Sequence, residues 1–477
     1  MFDYRSFALR KVASLAPRYL PFADVATEDV PLSRLLRLSL FQVTVGMALV
    51  LLVGTLNRVM IVELAVPASL VAVMLALPLL FAPFRTLIGY KSDTHVSALG
   101  WRRVPYIWKG TMYQFGGFAV MPFALLVLSG YGEAVDAPRW IGQASAALAF
   151  LMVGAGVHIV QTVGLALATD LVREEDQPKV VGLMYVMLLL GMVVSALVFG
   201  ALLETYTPGR LIQVIQGSAV LTIALNMFAL WKQEPRDRAR ARKMEEARPA
   251  PFSEAWRSFA ARKGTMRLLA VIGFGTFGYG MADVLLEPYG GQALGFSVAE
   301  TTRLTALLAT GTLIGFGIAS RILGNGAQPV RLGIVGALIG VPGFAAIIAS
   351  SAGAGPIAFL AGTFATGLGA GLFGHATLTA TMRSAPGDQV GLALGAWGAV
   401  QATSAGIGVA LAGIVRDVVV GLPSQAGSAP STPYNVVFTI EAVFLVFAIV
   451  VALPLAFRRR VDGEGHRSET NPVEVSS

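Results

Sequence analysis

The chain has 477 residues, of which 55% are hydrophobic and only 13% charged, with a mean hydropathy of +0.68 and a net charge of +8. A soluble globular chain carries about 25% charge, so water is excluded as the solvent for most of this surface and an all-α polytopic membrane protein is expected. There is no cysteine, which removes disulfides and thiolate metal ligands from any account.

In chain order, residues 1–37 form a predicted cytoplasmic segment. Phe7, Val12, Leu15 and Tyr19 alternate there with Arg5, Lys11 and Arg18 at loose helical spacing, the pattern of an interfacial helix. Met1–Pro21 has neither an uninterrupted apolar core nor a small-residue cleavage site, so no removable signal is read. Apolar runs near the ~20 residues that cross a bilayer follow at 39–61, 68–88, 104–129, 140–168, 180–203, 211–231, 267–287, 302–320, 331–350, 357–381, 390–415 and 435–457. They predict twelve spans arranged as a six-helix half over 38–231, a cytoplasmic linker over 232–266, a second six-helix half over 267–457 and a disordered tail over 458–477. With both termini cytoplasmic, all of the 36 Lys and Arg except Arg58, Arg139, Arg210, Arg303 and Arg416 fall in cytoplasmic segments. The net charge is thus a topology signal, and nucleic-acid binding, which wants a soluble basic module, is not expected. The basic linker reads as lying along an anionic lipid surface, with docking of a soluble partner as the alternative.

Half the chain apart, two stretches repeat one order of residues. Gly154, Gly156, His158, Arg173, Asp176, Gln177 and Val181-Gly182-Leu183 are answered by Gly369, Gly371, His375, Arg383, Asp388, Gln389 and Val390-Gly391-Leu392. Two parallel copies of one membrane unit are a transporter-type architecture. Asn57, Arg58 and Glu63 close span one where Asp283 and Glu287 close span seven, a second repeat pair. Ionisable groups at mid-bilayer cost at least ~2.5–3.5 kcal/mol, so these five predict an intramembrane charge network. Arg58 and Glu63 are five apart and need not meet on an α-helix, whereas Asp283 and Glu287 share a face. Glu204 and Glu441 read as helix-end and interface residues. Pro78, Pro83 and Pro122 predict kinks, and Trp101, Trp108, Trp140 and Trp231 read as interfacial anchors.

Between spans two and three, Gly89-Tyr90-Lys91-Ser92-Asp93 and then Trp101-Arg102-Arg103 resemble the Gly-x-x-x-Asp…Gly-Arg-Arg loop of the major facilitator superfamily. A gating role is expected of Gly89, Asp93, Arg102 and Arg103, because a carboxylate there can pair with guanidinium groups and bind helix N-terminal amides. The segments Gly54–Leu64, Phe84–Tyr106 and Asp283–Gly291 are similar to the PucC/LhaA family, the bacteriochlorophyll-delivery branch of that superfamily, and the likeness runs from about residue 34 to 457. The resemblance implies an assembly factor for purple-bacterial light-harvesting complexes in the bacterial inner membrane. It would bind bacteriochlorophyll, with carotenoid as a further pigment, and would engage antenna polypeptides, lipids and the reaction-centre core complex. Under that reading His158 and His375 are candidate axial ligands of the pigment magnesium, and Gly371 and Trp397 candidate surfaces for a macrocycle. Tight helix contacts explain the same glycines. An enzyme is not expected, since there is no phosphate-cradling loop, acid/base constellation or metal cluster. A proton-coupled secondary transporter, and a scaffold that never touches pigment, are the competing readings.

Overall fold

A long apolar run can satisfy its backbone groups inside a bilayer as a helix, and among the described residues every regular element is helical. The computed structural model describes residues 30–80, 88, 92, 101–130, 134, 136–173, 176–234, 257, 259–384, 390–422 and 429–457. The helices are α1 (Leu32–Glu63), α2 (Ala68–Leu80), α3 (Val104–Ser129), α4 (Arg139–Asp170), α5 (Gln177–Leu202) and α6 (Pro208–Leu230), followed by α7 (Thr265–Leu294), α8 (Val298–Gly324), α9 (Pro329–Ala349), α10 (Gly355–Ser384), α11 (Val390–Val420) and α12 (Thr432–Ala456). Ten helical runs among the described residues are long and apolar enough to cross a membrane, where the hydropathy pattern predicts twelve spans. The difference lies in α9 and α10, which merge into the single run Pro329–Ser384, and in α2, described over Ala68–Leu80 only. The chain still breaks between α9 and α10, where Gly353 and Gly355 take φ of +111° and +73°, values glycine reaches without Cβ strain.

Helix ends follow local chemistry. Thr207 caps α6 by accepting from the Arg210 amide at 3.1 Å, and Ser297 and Glu300 form a reciprocal capping box at the start of α8. The prolines expected to kink spans two and three, Pro78 and Pro122, do lie inside α2 and α3, while Pro83 is outside the described residues.

The repeat seen in the sequence recurs in the contacts. Among α1–α6, α3 packs on α4 and α6, α1 on α5 and α6, and α2 on α4. Six helices later, α9 packs on α10 and α12, α7 on α11 and α12, and α8 on α10. Between the two groups α2 meets α11 and α5 meets α8, again a pair related by the same shift. Small residues set these approaches: a Cβ added to Gly371 on α10 would collide with the Thr312 carbonyl and lie 3.0 Å from the Phe316 amide of α8. Likewise Gly156 brings α4 onto α3, where a Cβ would sit 2.7 Å from the Gln114 amide. Outward-facing Leu197, Val198, Val220, Leu338 and Phe447 are about half exposed, as expected of a surface bathed by lipid.

Candidate functional site

The site is built on α7, whose backbone is irregular for two sequence reasons. Pro288 has no amide to give to the Val284 carbonyl four residues earlier. Asn57 of α1 supplies the missing donor, its Nδ2 reaching the Val284 oxygen at 2.6 Å. One turn back the helix is interrupted at Met281, and the Ala282 amide donates instead to Oε1 of Glu441 on α12. Glu441 is fully buried. It is therefore neither an interface residue nor decoration, which corrects the expectation from sequence; its second oxygen, Oε2, has no hydrogen-bond partner among the described residues.

Beside this interruption lies a central cavity of about 400 Å³ walled by both groups of helices. His158 and Gln161 of α4, Asp283 and Tyr279 of α7, and Trp397 and Gln401 of α11 line it, with Phe344 and Phe373 as apolar walls. Three residues singled out in the sequence, His158, Asp283 and Trp397, thus converge on one space. Asp283 is exposed, and the space it is exposed to is this cavity. Trp397 is buried and its indole donates to Thr377 Oγ1 at 3.3 Å, tying α11 to α10. Gly374 also borders the cavity, with open space where a Cβ would stand.

His375 and Gly371 are placed elsewhere. Neither is among the cavity-lining residues: the His375 ring lies on Phe316 with centroids 4.1 Å apart, and Gly371 is consumed by the α8 contact. His375 Nδ1 has no hydrogen-bond partner among the described residues.

Among the described residues, the five expected to form one charge network divide among separate contacts. Residues Val59–Glu63 of α1 are π-helical, and a wider turn places residues five apart on one face. Arg58 consequently pairs with Glu63, its own neighbour, and its other amino group donates to the Phe296 carbonyl at 3.2 Å. Glu287 accepts from the Thr305 hydroxyl of α8 against Gly54 of α1 and is sealed from the cavity that Asp283 faces. Thr55 and Thr302 meet at 3.2 Å, and the Ser69 amide of α2 donates to Asp417 of α11 at 2.7 Å. These contacts gather at one end of the molecule and join α1 and α2 to α7, α8 and α11.

At the opposite end, which carries the linker, Gly89 and Asp93 lie outside the described residues. Arg102 and Arg103 converge on Asp170 of α4 at 2.7 and 3.1 Å, and Arg103 also donates to Ser92 at 2.7 Å. The carboxylate on the amides that open α3 is Glu234, which accepts from Arg102, Arg103 and Val104 at 2.8 to 3.0 Å. Sequence reasoning assigned Glu234 only to the linker; its position directly after span six, on the side where span three starts, was the available signal.

An all-helical molecule with this duplicated contact pattern and a cavity between the copies has the major facilitator fold. The inward-facing, unoccupied structure of a bacterial homologue of the human lysosomal transporter Spinster superposes with a TM-score of 0.65 over 89% of this chain and 96% of that one, at 16% identity. The protein is thus a multi-pass membrane protein with that fold. The family model described as PUCC protein matches residues 55–460. Protein PucC of Rhodobacter capsulatus is 72% identical over 457 residues, 95% of this chain and 99% of that protein. The bacteriochlorophyll synthase 44.5 kDa chain of Rhodobacter capsulatus is 26% identical over 433 residues, 88% of this chain and 94% of that one. The chain belongs to the PucC family.

Proposed function

We propose that this protein assists assembly of light-harvesting complexes by binding bacteriochlorophyll on its lipid-facing helices and presenting it to antenna polypeptides. PucC homologues in purple bacteria imply a role in photosynthetic complex assembly, and family membership over nearly the whole membrane part is the observation that carries the reading. Within it, the protein sits in the cytoplasmic or intracytoplasmic photosynthetic membrane with twelve spans, α9 and α10 counting separately and α2 counting as one, and with both termini cytoplasmic. The Lys and Arg distribution supports that orientation.

The interior does not fit the pigment. A cavity of about 400 Å³ lies toward the small end of ligand pockets, too small for a tetrapyrrole with its isoprenoid tail, and Gly371 offers no shelf beside His375. The half-exposed apolar faces of α5, α6, α9 and α12 remain as the surface on which a greasy pigment and membrane-spanning antenna chains can be received.

Absorption spectroscopy of the protein purified in mild detergent from a pigment-synthesising host tests this. Near-infrared bacteriochlorophyll bands that co-migrate with the protein are expected; a colourless protein that supports antenna assembly overturns the pigment part and leaves a polypeptide scaffold. One observation favours a second reading: Asp283 faces a central cavity in a fold shared with transporters. Proton-coupled uptake by a colourless protein, lost in Asp283→Asn, would establish it.

A further inference from the structure

Two adjoining pockets at the linker end lie apart from the central cavity and share Glu234 with the contacts described above. One, of about 750 Å³, runs between the start of α3 and the end of α6 and is walled by Trp101, Trp108 and Trp231. The other, of about 810 Å³, lies along the start of α1 and is lined by Arg37, Leu40 and Phe228. Arg34 and Lys232 border both, so the two form one groove with a basic middle.

Among the described residues the charge balance of that groove is one-sided. Its acid, Glu234, is committed to the three amides that open α3. Arg34 is held at the shared rim by Gln233, donating to its carbonyl at 2.8 Å and to its Oε1 at 3.2 Å. The Arg37 Nε is buried with no hydrogen-bond partner among the described residues, and Lys232 is exposed. Indoles favour the boundary between hydrocarbon and water, so the groove offers three cations at head-group depth and an aromatic, apolar wall below them.

We infer that this groove is a binding site for an anionic phospholipid of the leaflet at the linker end. Its phosphate sits among Arg34, Arg37 and Lys232, as basic pockets between spans hold anionic head groups, and guanidinium groups suit phosphate oxygens. The acyl chain lies along Phe228, Leu40 and the indoles. A zwitterionic lipid brings its own cation to the same three and is disfavoured.

Quenching of tryptophan fluorescence by lipids with brominated acyl chains tests the assignment in full-length protein reconstituted into nanodiscs. Variants keep one tryptophan each: Trp231 in the groove, or Trp140, 66% exposed at the far end. The expected result is that Trp231 is quenched at several-fold lower mole fraction by brominated phosphatidylglycerol than by brominated phosphatidylcholine. Trp140 should respond equally to both, and Arg37→Gln with Lys232→Gln should abolish the difference at Trp231. Equal quenching of Trp231 by both lipids, quenching by neither, or a preference that survives the double substitution overturns the proposal. Should the single-tryptophan variants misfold, native mass spectrometry of the wild type against Lys232→Gln decides. Retained phosphatidylglycerol that falls in the variant supports the site, and equal retention, or a tetrapyrrole in its place, refutes it.

Discussion

Asn57 and Glu441 show how single side chains hold α7 in its irregular shape. Each answers a backbone group that the helix itself leaves unpaired, the Val284 carbonyl behind Pro288 in one case and the Ala282 amide in the other. Such a group stranded away from water costs more than the bond is worth when made. Asn57→Leu is expected to destabilise the protein by about 1–2 kcal/mol, the scale of polar contacts between membrane helices. Glu441→Leu should cost about 1–3 kcal/mol and Glu441→Gln much less, because an amide oxygen still accepts from Ala282. Melting temperatures in one detergent check both, and a wild-type value for either leucine variant would remove the role. Neither partner was legible from the chain alone. Asn57 was recognised as an intramembrane polar group, but the carbonyl it serves lies 227 residues away; Glu441 stands inside an apolar run with nothing nearby in sequence to mark it as buried.

At the scale of the element, the sequence was most informative where a helix follows one period throughout. The repeat of glycines and the apolar runs foreshadowed helices and duplication, and the loop before span three resembled that of the fold the molecule has. The same reading missed the pairing of Arg58 with Glu63, since it assumed an α-helical turn where the chain forms a π turn. Removing Glu63 leaves the buried Arg58 cation with the Phe296 carbonyl, so Glu63→Gln should cost about 1–3 kcal/mol despite Glu63 itself being partly exposed. The glycines divide by what a side chain would meet. Gly371→Val drives a branched side chain into the α8 backbone, which cannot yield as a flexible side chain would, and should destabilise by about 1–3 kcal/mol. Gly374→Ala enters open space and should melt like the wild type while narrowing the cavity. Equal melting of the Gly371 and Gly374 variants would show that the α8–α10 approach tolerates more than its geometry implies.

At the scale of the whole molecule, polar contacts between the helix groups gather, among the described residues, at the end away from the linker, where Thr55 faces Thr302. The chain lacks cysteine, so a Thr55→Cys, Thr302→Cys pair can be bridged without competing thiols. The cross-link is expected to form readily on oxidation. If antenna assembly requires this end to part, assembly in cells that depend on the bridged protein falls several-fold and recovers with reductant; undiminished assembly by fully bridged protein would mean that this end stays shut throughout the working cycle. What the sequence could not disclose at this scale was which charges join the groups and which stay within one. Arg102 and Arg103 were expected to gate together with Asp93, which lies outside the described residues; among the described residues both reach Asp170 in their own bundle. The two π segments of α1, Val50–Leu56 and Val59–Glu63, carry one last implication. A π turn accommodates an extra residue within a helix, so losing a single codon between Arg58 and Glu63 would let α1 wind regularly there and leave the rest of the helix in phase, whereas the same loss from a regular α-helix turns everything beyond it by about 100°. Arg58 and Glu63 would then stand four apart on one α-helical face and keep their pairing, so a gene intolerant of a change in spelling length elsewhere along its helices should tolerate one here.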